Sequence, residues 1–225
     1  MKPITRSLFL VAIAGVVAAE SAEPNPTHAW PSVIALRLKD ADPATITCLD
    51  LSRSEVQDQD LAALGSLTRL KKLELSFTHI TNAGLAHLKL LTQLEELGLC
   101  CTKVSDAGLA AIEALKQLKS LHLSDTQVGD AGLTHLESLT QLQVLYLSGT
   151  RIHDTGLAHL KPLKHLACLG LNATSVSNAG LENLTSLTQL KKLNLATTRV
   201  TPEGLAALHR QLPNCVIDWP IKEIP

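Results

Sequence analysis

Aromatic side chains are scarce in this chain, and their scarcity limits how its core can be built. Phe, Trp and Tyr make up 2% of the 225 residues, whereas hydrophobic residues of all kinds make up 45%. Burial must therefore depend on Leu and Ala. That composition is unusual for a mixed globular core, and it favours one narrow slot that the same aliphatic side chain fills repeatedly.

The chain also has little net charge and lacks the spacings of common metal and phosphate sites. Its formal net charge is −1, which gives no electrostatic basis for binding nucleic acid. Its five cysteines form no CxxC pair and no Cys/His zinc spacing, and its glycines are isolated rather than grouped in a phosphate-binding loop. We therefore expect mostly free thiols, no metal and no cofactor.

Only the N-terminus carries an uninterrupted apolar run. Lys2 and Arg6 precede the apolar residues 8–19, and this pattern predicts a signal peptide over residues 1–19. Twelve apolar residues are too few to span a bilayer comfortably. We expect export to the periplasm, the cell envelope or the medium, without stable membrane insertion after cleavage. Cleavage after Ala19, cleavage after Ala22 and retention as an anchor remain open.

An internal repeat with a period of 24 organises the rest of the chain. Apolar residues recur at this interval at Ile46, Leu70, Leu94, Leu118, Leu142, Leu166 and Leu190, and they mark the first positions of seven units over residues 46–213. A fixed period in this range predicts a solenoid. Residues 20–45 are predicted to form a flexible segment and an N-terminal cap, and residues 214–225 a C-terminal capping strand and a tail.

Each unit reads as a strand, a turn and a short helix. Positions 4 and 6 alternate with polar residues as in a half-buried strand, and Leu at positions 16, 19 and 22 follows with helical spacing. Strands stack about 4.8 Å apart and helices about 10 Å apart, so the stack must curve. The predicted fold is an α/β solenoid with a parallel sheet on the concave side and short helices on the convex side.

Two further positions have a structural interpretation. Position 9 is Thr in six units and Ser54 in the first. We expect each hydroxyl to bond backbone of its own coil or the next, so that the stacked hydroxyls form a ladder that satisfies loop amides. Position 15 is Gly in six units. Because Gly weakens a helix, we expect these glycines to allow close packing between neighbouring coils.

The unit LxxLxLxxTx(I/V)xxxGLxxLxxLxx resembles the leucine-rich repeat. Its helical outer half resembles the ribonuclease-inhibitor-like class, and its Thr at the usual Asn position resembles repeat proteins exported by planctomycete-type bacteria. The resemblance covers about residues 46–219 and implies the fold strongly and the function weakly. It implies a monomeric, non-catalytic scaffold that binds a protein partner.

The candidate binding site lies on the concave face, where positions 3, 5, 7 and 8 vary from unit to unit. Four residues there form a predicted contiguous patch, in which the only Tyr is a natural contact centre: Glu74, Glu96, His122 and Tyr146. We call these four residues the concave patch.

Two other functions stay open at this point. A structural cell-envelope protein that self-associates would need no ligand. A thiol-dependent enzyme could use Cys100 or Cys101 with His122 and Asp125. However, Cys100 and His122 would lie roughly 8 Å apart at strand spacing, on a sheet whose amides are already hydrogen-bonded. Three histidines at position 18 (His87, His135 and His159) have no repeating carboxylate beside them in the sequence pattern, so we interpret them as a solvated helix face.

Overall fold

The computed structural model describes residues 31–38 and 41–219. The predicted signal peptide and the segment after it, up to Trp30, lie outside these residues, as does the tail from residue 220. None of the described helices is long and apolar enough to cross a membrane.

One sheet of eight parallel strands runs through the whole solenoid. Each strand pairs with the next at an offset of one repeat unit, so the repeat period is also the register of the sheet. The strands follow one another in chain order: β1 Cys48–Asp50, β2 Lys72–Glu74, β3 Glu96–Gly98, β4 Ser120–His122, β5 Val144–Tyr146, β6 Cys168–Gly170, β7 Lys192–Asn194 and β8 Val216–Asp218.

The convex side carries short helical turns rather than continuous α-helices. The α-helices are α1 Ser32–Leu38, α2 Asn82–Leu85, α3 Asp106–Leu109, α4 Asp130–Leu133, α5 Asn178–Leu181 and α6 Pro202–Gln211. The 3-10 helices cover Pro43–Thr45, Asp58–Ser66, Ala86–Leu90, Ala110–Ile112, Thr134–Leu136, Gly156–Leu160 and Glu182–Leu184. Leucines at every third position match the 3-10 period, so most coils tighten after at most one α-turn. The predicted curved α/β solenoid is confirmed, with this refinement.

The interior is the narrow aliphatic slot that the composition predicts. Leucines at positions 4 and 6 of all seven units are at most 3% exposed. At the N-terminal end α1 packs on β1, and its Ile34 is fully buried. At the other end Leu205, Ile217 and Trp219 are only partly buried against the core.

Neighbouring coils are joined by a row of carboxylate and amide side chains at position 13. Each of these side chains accepts a hydrogen bond from the position-12 backbone N–H of the following coil, with lengths of 2.6–2.9 Å. The members of this row are Asp58, Asn82, Asp106, Asp130, Asp154 and Asn178. Position 12 is where each helical turn begins, and a negative or polar oxygen there satisfies an otherwise free amide. We call this row the inter-coil clasp.

The clasp explains the recurring glycines at position 15. A Cβ atom at Gly132 would lie 2.5 Å from Oδ1 of Asp106 in the preceding coil, and at the other five position-15 glycines the clasp oxygen would be at most 2.5 Å away. The expectation that these glycines allow close packing between coils is therefore confirmed. The first unit, which follows no other unit and meets no clasp oxygen, has Asp60 at position 15, and the last unit has Pro202 at position 13.

The position-9 hydroxyls differ from the predicted ladder. Each donates within its own coil, to the carbonyl of position 6, as Thr126 does to Leu123 at 2.7 Å. The same bond recurs from Ser54 to Thr198. The expectation that they bond backbone of their own or the next coil is confirmed for their own coil. The expected ladder that satisfies loop amides was wrong, because a hydroxyl that donates to a carbonyl leaves the amides to other acceptors. The hydroxyls instead close the turn that leads out of each strand.

Replacing Thr126 by Val should destabilise the protein by about 1–3 kcal/mol, because the buried Leu123 carbonyl would lose its hydroxyl partner without a change in side-chain shape. Thr126 is 6% exposed. Urea denaturation of the two proteins measures the effect. Thr126→Ser keeps the hydroxyl and should cost less; an equal loss in the two variants would assign the effect to packing rather than to the hydrogen bond.

Candidate functional site

The side chains at positions 3 and 5 point away from the core along the whole concave face. They flank the buried position-4 leucine of each strand, as the pleat of a β-strand requires. Because the register offset is one repeat unit, position-5 side chains of successive units are direct neighbours across the sheet. The concave patch therefore spans four adjacent strands, β2 to β5.

Two members of the concave patch are in direct contact. The His122 and Tyr146 rings lie edge to face, with centroids 5.0 Å apart and an interplanar angle of 74°. This geometry is a favourable one for two aromatic rings. Tyr146 is 36% exposed, so its ring presents a large area to solvent while its position is fixed by its neighbours.

A glycine in the next strand provides the space in which Tyr146 lies. A Cβ atom at Gly170 would be 2.7 Å from Cδ1 of Tyr146, so any larger residue there would lift the ring off the sheet. Cys168 Sγ and the Tyr146 hydroxyl form a hydrogen bond at 3.5 Å. This hydrogen bond, with burial of the ring, raises the pKa of Tyr146 above its usual value. Tyr146 therefore stays a neutral donor at physiological pH.

Glu74 occupies a similar niche next to another glycine. Its carboxylate accepts hydrogen bonds from the Ser76 backbone N–H at 3.1 Å and the Ser76 hydroxyl at 2.5 Å. It fills the volume that a side chain at Gly98 would take. Gly98 lies between Glu74 and His122 in the position-5 row. The carboxylate is therefore directed along the sheet toward the aromatic pair.

Glu96 is the patch member whose charge is already paired. Lys72, its register partner on β2, holds it in an ion pair of 2.7 Å, with both side chains 51% exposed. An exposed pair of this kind contributes at most about 1 kcal/mol to stability. Sequence reasoning missed Lys72, although the residue shares position 3 with Glu96 in the adjacent unit.

The surroundings of His122 keep its imidazole neutral. Burial lowers the pKa of His122 below its usual 6.5, whereas Glu74 and Glu96 oppose the shift and Lys72 adds to it. The Oγ of Ser120 lies 3.0 Å from His122 Nε2. The half-buried ring is thus held between a hydroxyl and an aromatic edge.

His122 should make the folded state less stable below pH 6.5. Because its folded pKa is lowered, the unfolded chain binds the proton more readily, and stability falls as the pH drops from 6.5 through the folded pKa. Denaturant midpoints between pH 4 and 8 measure this dependence. In His122→Gln, which keeps a polar group near Ser120, the slope in this range should decrease; an unchanged slope would contradict the assignment.

The residues of the thiol alternative are not brought together as a catalytic set. Cys101 lies near Asp125, with Sγ 3.9 Å from Oδ2, and His122 is engaged by Ser120 and Tyr146. Burial, together with Asp125, raises the pKa of the Cys101 thiol. A nucleophilic cysteine needs the opposite shift.

The edge of the sheet after each strand has a conformation that sequence analysis did not detect. Position 8 has a positive φ of 53–67° in all seven units, although only Gly149 is a glycine. The other six are Arg53, Phe77, Cys101, Asp125, Ala173 and Thr197. The hydroxyl bond from position 9 closes a turn that requires this left-handed residue. We call the seven position-8 residues the rim.

Histidines on the convex side do have carboxylate partners, contrary to expectation. His135 contacts Glu113 at 2.5 Å and His159 contacts Glu137 at 2.6 Å, each a position-18 histidine beside a position-20 glutamate of the preceding coil. Sequence reasoning missed these pairs because each histidine and its glutamate lie in successive coils and at different positions of the unit, 18 and 20. Among the described residues, no three His, Cys, Asp or Glu side chains are grouped to hold a metal ion.

A further cluster of surface ion pairs lies directly before strands β2, β3 and β4. Glu95 lies between Lys119 and Lys71, at 2.5 Å and 2.9 Å. Hydrogen bonds from Lys119 and Lys71 lower the pKa of Glu95 to about 2. Its charge therefore persists under acidic conditions, so the acid sensitivity of the concave face is expected from His122 instead.

Comparisons with known proteins agree on the fold. A family model described as "Leucine Rich repeat" matches residues 43–65, 66–88 and 116–136. No curated protein matches the chain. Among solved structures, an internalin (inlF) from Listeria monocytogenes is 26% identical with a TM-score of 0.67, and the alignment covers 78% of this chain and 48% of that one.

Two more structures show the same architecture. Internalin C2 from the same species is 20% identical with a TM-score of 0.69, covering 84% of this chain and 93% of that one. A leucine-rich-repeat protein from Leptospira interrogans is 18% identical with a TM-score of 0.57, covering 78% of this chain and 49% of that one. The chain thus spans about half the length of the inlF internalin and of the Leptospira protein.

Proposed function

We propose that this chain, which has the fold of leucine-rich-repeat proteins, is a non-catalytic scaffold whose concave face binds a protein partner. Proteins of this fold generally act as protein-interaction scaffolds. An open sheet with its backbone groups paired offers surface area rather than an enclosed pocket for chemistry. Export to the periplasm, the cell envelope or the medium is part of the proposal.

The observation that carries the proposal is the His122–Tyr146 pair. The fold imposes leucine wherever the core needs it, but it imposes nothing at position 5 of these strands. A Tyr in a chain with 2% aromatic residues, held at 36% exposure by His122 and by the niche at Gly170, has the preorganisation expected of a binding hot spot.

A capture experiment tests the proposal. The chain from Glu20 onward is immobilised and exposed to envelope extract and culture medium of its source organism. A second protein carries four alanine substitutions that remove the concave patch: Glu74→Ala, Glu96→Ala, His122→Ala and Tyr146→Ala. The matched control carries four alanine substitutions on the convex side: Glu113→Ala, His135→Ala, Glu137→Ala and His159→Ala.

The three proteins are compared at equal thermal stability. A protein retained by the parent and the convex control but lost by the concave variant is the expected result. Retention by the parent and the concave variant with loss by the convex control would place the interface on the helices. If the concave variant retains everything that the parent retains, the concave patch is wrong.

Self-association in the cell envelope is a second candidate. Its support is the last strand, β8, whose Val216 is 71% exposed and which ends the sheet order among the described residues. An exposed apolar edge strand favours pairing with another chain. Sedimentation at increasing concentrations separates the two candidates: the scaffold proposal expects a monomer throughout, and a rising mass that Val216→Lys abolishes would favour self-association.

A further inference from the structure

The exposure and the backbone conformation of Phe77 are not explained by a role in folding. It is the only Phe in the described part of the chain, it is 48% exposed, and its backbone is left-handed with φ +59°. A left-handed conformation is unfavourable for a residue with a Cβ atom. The fifth unit has Gly149 at the same rim position. Glycine adopts this conformation more easily than phenylalanine, so the turn does not require a phenylalanine.

Arg53, the preceding rim residue, stacks its guanidinium group on the Phe77 ring. The guanidinium carbon of Arg53 lies over the Phe77 ring, 4.0 Å from its centroid. Arg53 itself has φ +53° and is exposed. Two successive rim positions thus carry large side chains that contact each other and contribute little to the core.

The contact leaves the polar side of Arg53 available. Within the described residues Arg53 takes part in no ion pair shorter than 4.0 Å. A guanidinium stacked on an aromatic face keeps its in-plane N–H groups free, and their fork matches the two oxygens of a carboxylate. Holding the group in place before binding reduces the ordering cost of that contact.

The location joins this pair to the concave patch. The Ser76 hydroxyl, next to Phe77 in the chain, bonds Glu74 and also accepts from the Cys100 backbone N–H at 3.0 Å. Ser76 therefore links the patch, the rim and the next coil. A partner seated over His122 and Tyr146 would extend past Glu74 to this edge.

We propose that Arg53 and Phe77 form a subsite for an acidic side chain of the protein partner. Arg53 donates two N–H groups to the partner's carboxylate, and Phe77 holds the guanidinium in place. This subsite rests on the proposed scaffold function and extends it by giving the chemistry of one partner residue. The Arg53 charge complements an acid, whereas the Glu74 carboxylate of the concave patch would repel one, so the acid is directed to the rim.

The first test needs no partner. Three peptides are titrated into the isotope-labelled chain while the Arg53 Nε–Hε and Phe77 ring NMR signals are recorded. They are acetyl-Leu-Glu-Leu-amide, acetyl-Leu-Gln-Leu-amide and acetyl-Leu-Gln-Leu with a free C-terminal carboxylate. The Glu peptide should shift both signals at least about five-fold more than the Gln amide. Equal shifts, or none, would overturn the subsite, and a larger response to the free acid would assign it to a chain terminus instead of a side chain.

Two variants test whether the response to the Glu peptide depends on Arg53 and Phe77 together. Phe77→Gly removes the stacked ring but relieves the left-handed backbone, so it should unfold at a higher denaturant concentration while losing the Arg53 response to the Glu peptide. Arg53→Lys keeps the charge and loses the fork, so the shift of the Phe77 ring signal with the Glu peptide should fall to that seen with the Gln amide. A response that survives in both variants would overturn the proposal.

The peptide titration and the capture experiment fail independently. If the concave variant loses no partner but the Glu peptide still binds at Arg53, the concave patch is wrong as the interface and the carboxylate site at Arg53 stands. If a partner is captured through the concave patch and Arg53→Lys retains it unchanged, the subsite is wrong and the scaffold proposal stands.

Discussion

Gly132→Ala should destabilise the protein by about 1–3 kcal/mol, although the same change usually stabilises a helical turn by about 1 kcal/mol. The reason is the inter-coil clasp. The new Cβ atom would lie 2.5 Å from Oδ1 of Asp106, and the same oxygen accepts the Gly129 N–H at 2.6 Å. The carboxylate would have to leave its hydrogen bond to make room. Equilibrium unfolding in guanidinium chloride measures the loss.

A double-mutant cycle separates this mechanism from a general intolerance of alanine. Asp106→Ala should itself cost about 1–3 kcal/mol, because the buried Gly129 amide loses its acceptor. In the Asp106→Ala background, the Cβ atom of Gly132→Ala meets no carboxylate. The double variant should therefore lose less free energy of unfolding than the sum of the two single variants, by at least about 1 kcal/mol. Additive losses would contradict the clasp as the cause.

Gly65 provides the control position. Its nearest neighbour would be a Leu90 methyl carbon 3.6 Å from an added Cβ atom, which is ordinary van der Waals contact. Gly65→Ala should therefore leave stability unchanged or raise it. A loss at Gly65 as large as that at Gly132 would show that alanine is harmful on the convex side in general.

Tyr146→Ala should weaken binding of the captured partner by about 2 kcal/mol, roughly 30-fold in Kd. The substitution removes the largest exposed contact on the concave face and also the edge that orients His122. Because the ring is 36% exposed and outside the aliphatic slot, stability should change much less than affinity. Calorimetric titration of the purified partner measures the change.

Tyr146→Phe is the matched control for that prediction. It keeps the ring, the His122 contact and the fit above Gly170, and it loses only the hydroxyl next to Cys168. We expect its Kd to stay within about three-fold of the parent, which corresponds to a single modest hydrogen bond. If both substitutions leave the Kd unchanged, Tyr146 is outside the interface.

The sequence predicted the features that depend on one residue type repeated at one spacing. Leucines at positions 4 and 6 predicted the buried strand face, and the repeat period predicted the register that places His122 beside Tyr146. Gly132 and its equivalents predicted close approach of the coils. In each case the physical requirement is local or follows directly from stacking identical units.

Features that depend on side chains in adjacent coils were not predicted. The Asp106–Gly129 bond, the Lys72–Glu96 pair and the His135–Glu113 pair each join two successive coils, and each needs the stacking geometry to be known first. The clasp did leave a signal: Asp or Asn recurs at position 13 until Pro202 replaces it in the last unit. That row begins one unit before the position-15 glycines and ends one unit before they do.

The left-handed rim was missed for a different reason. A positive φ is normally predicted from glycine or asparagine, and only Gly149 gives that signal among seven rim residues. The conformation is imposed by the closed turn after each strand, so residues as unsuitable as Phe77 and Thr197 accept it. Such positions can vary because the neighbouring bonds hold the backbone.

The central claim, that the partner is bound on the concave face, is tested most directly by photo-crosslinking at defined sites. A photoreactive residue is placed at Val144, half-buried beside Tyr146 on the concave face, or at Ala158, exposed on the convex side. Each protein is irradiated in envelope extract and analysed for adducts. We predict one adduct of defined mass from position 144 that the Tyr146→Ala change suppresses, and none from position 158. An adduct formed at position 158 alone, or equally at both, would contradict the claim.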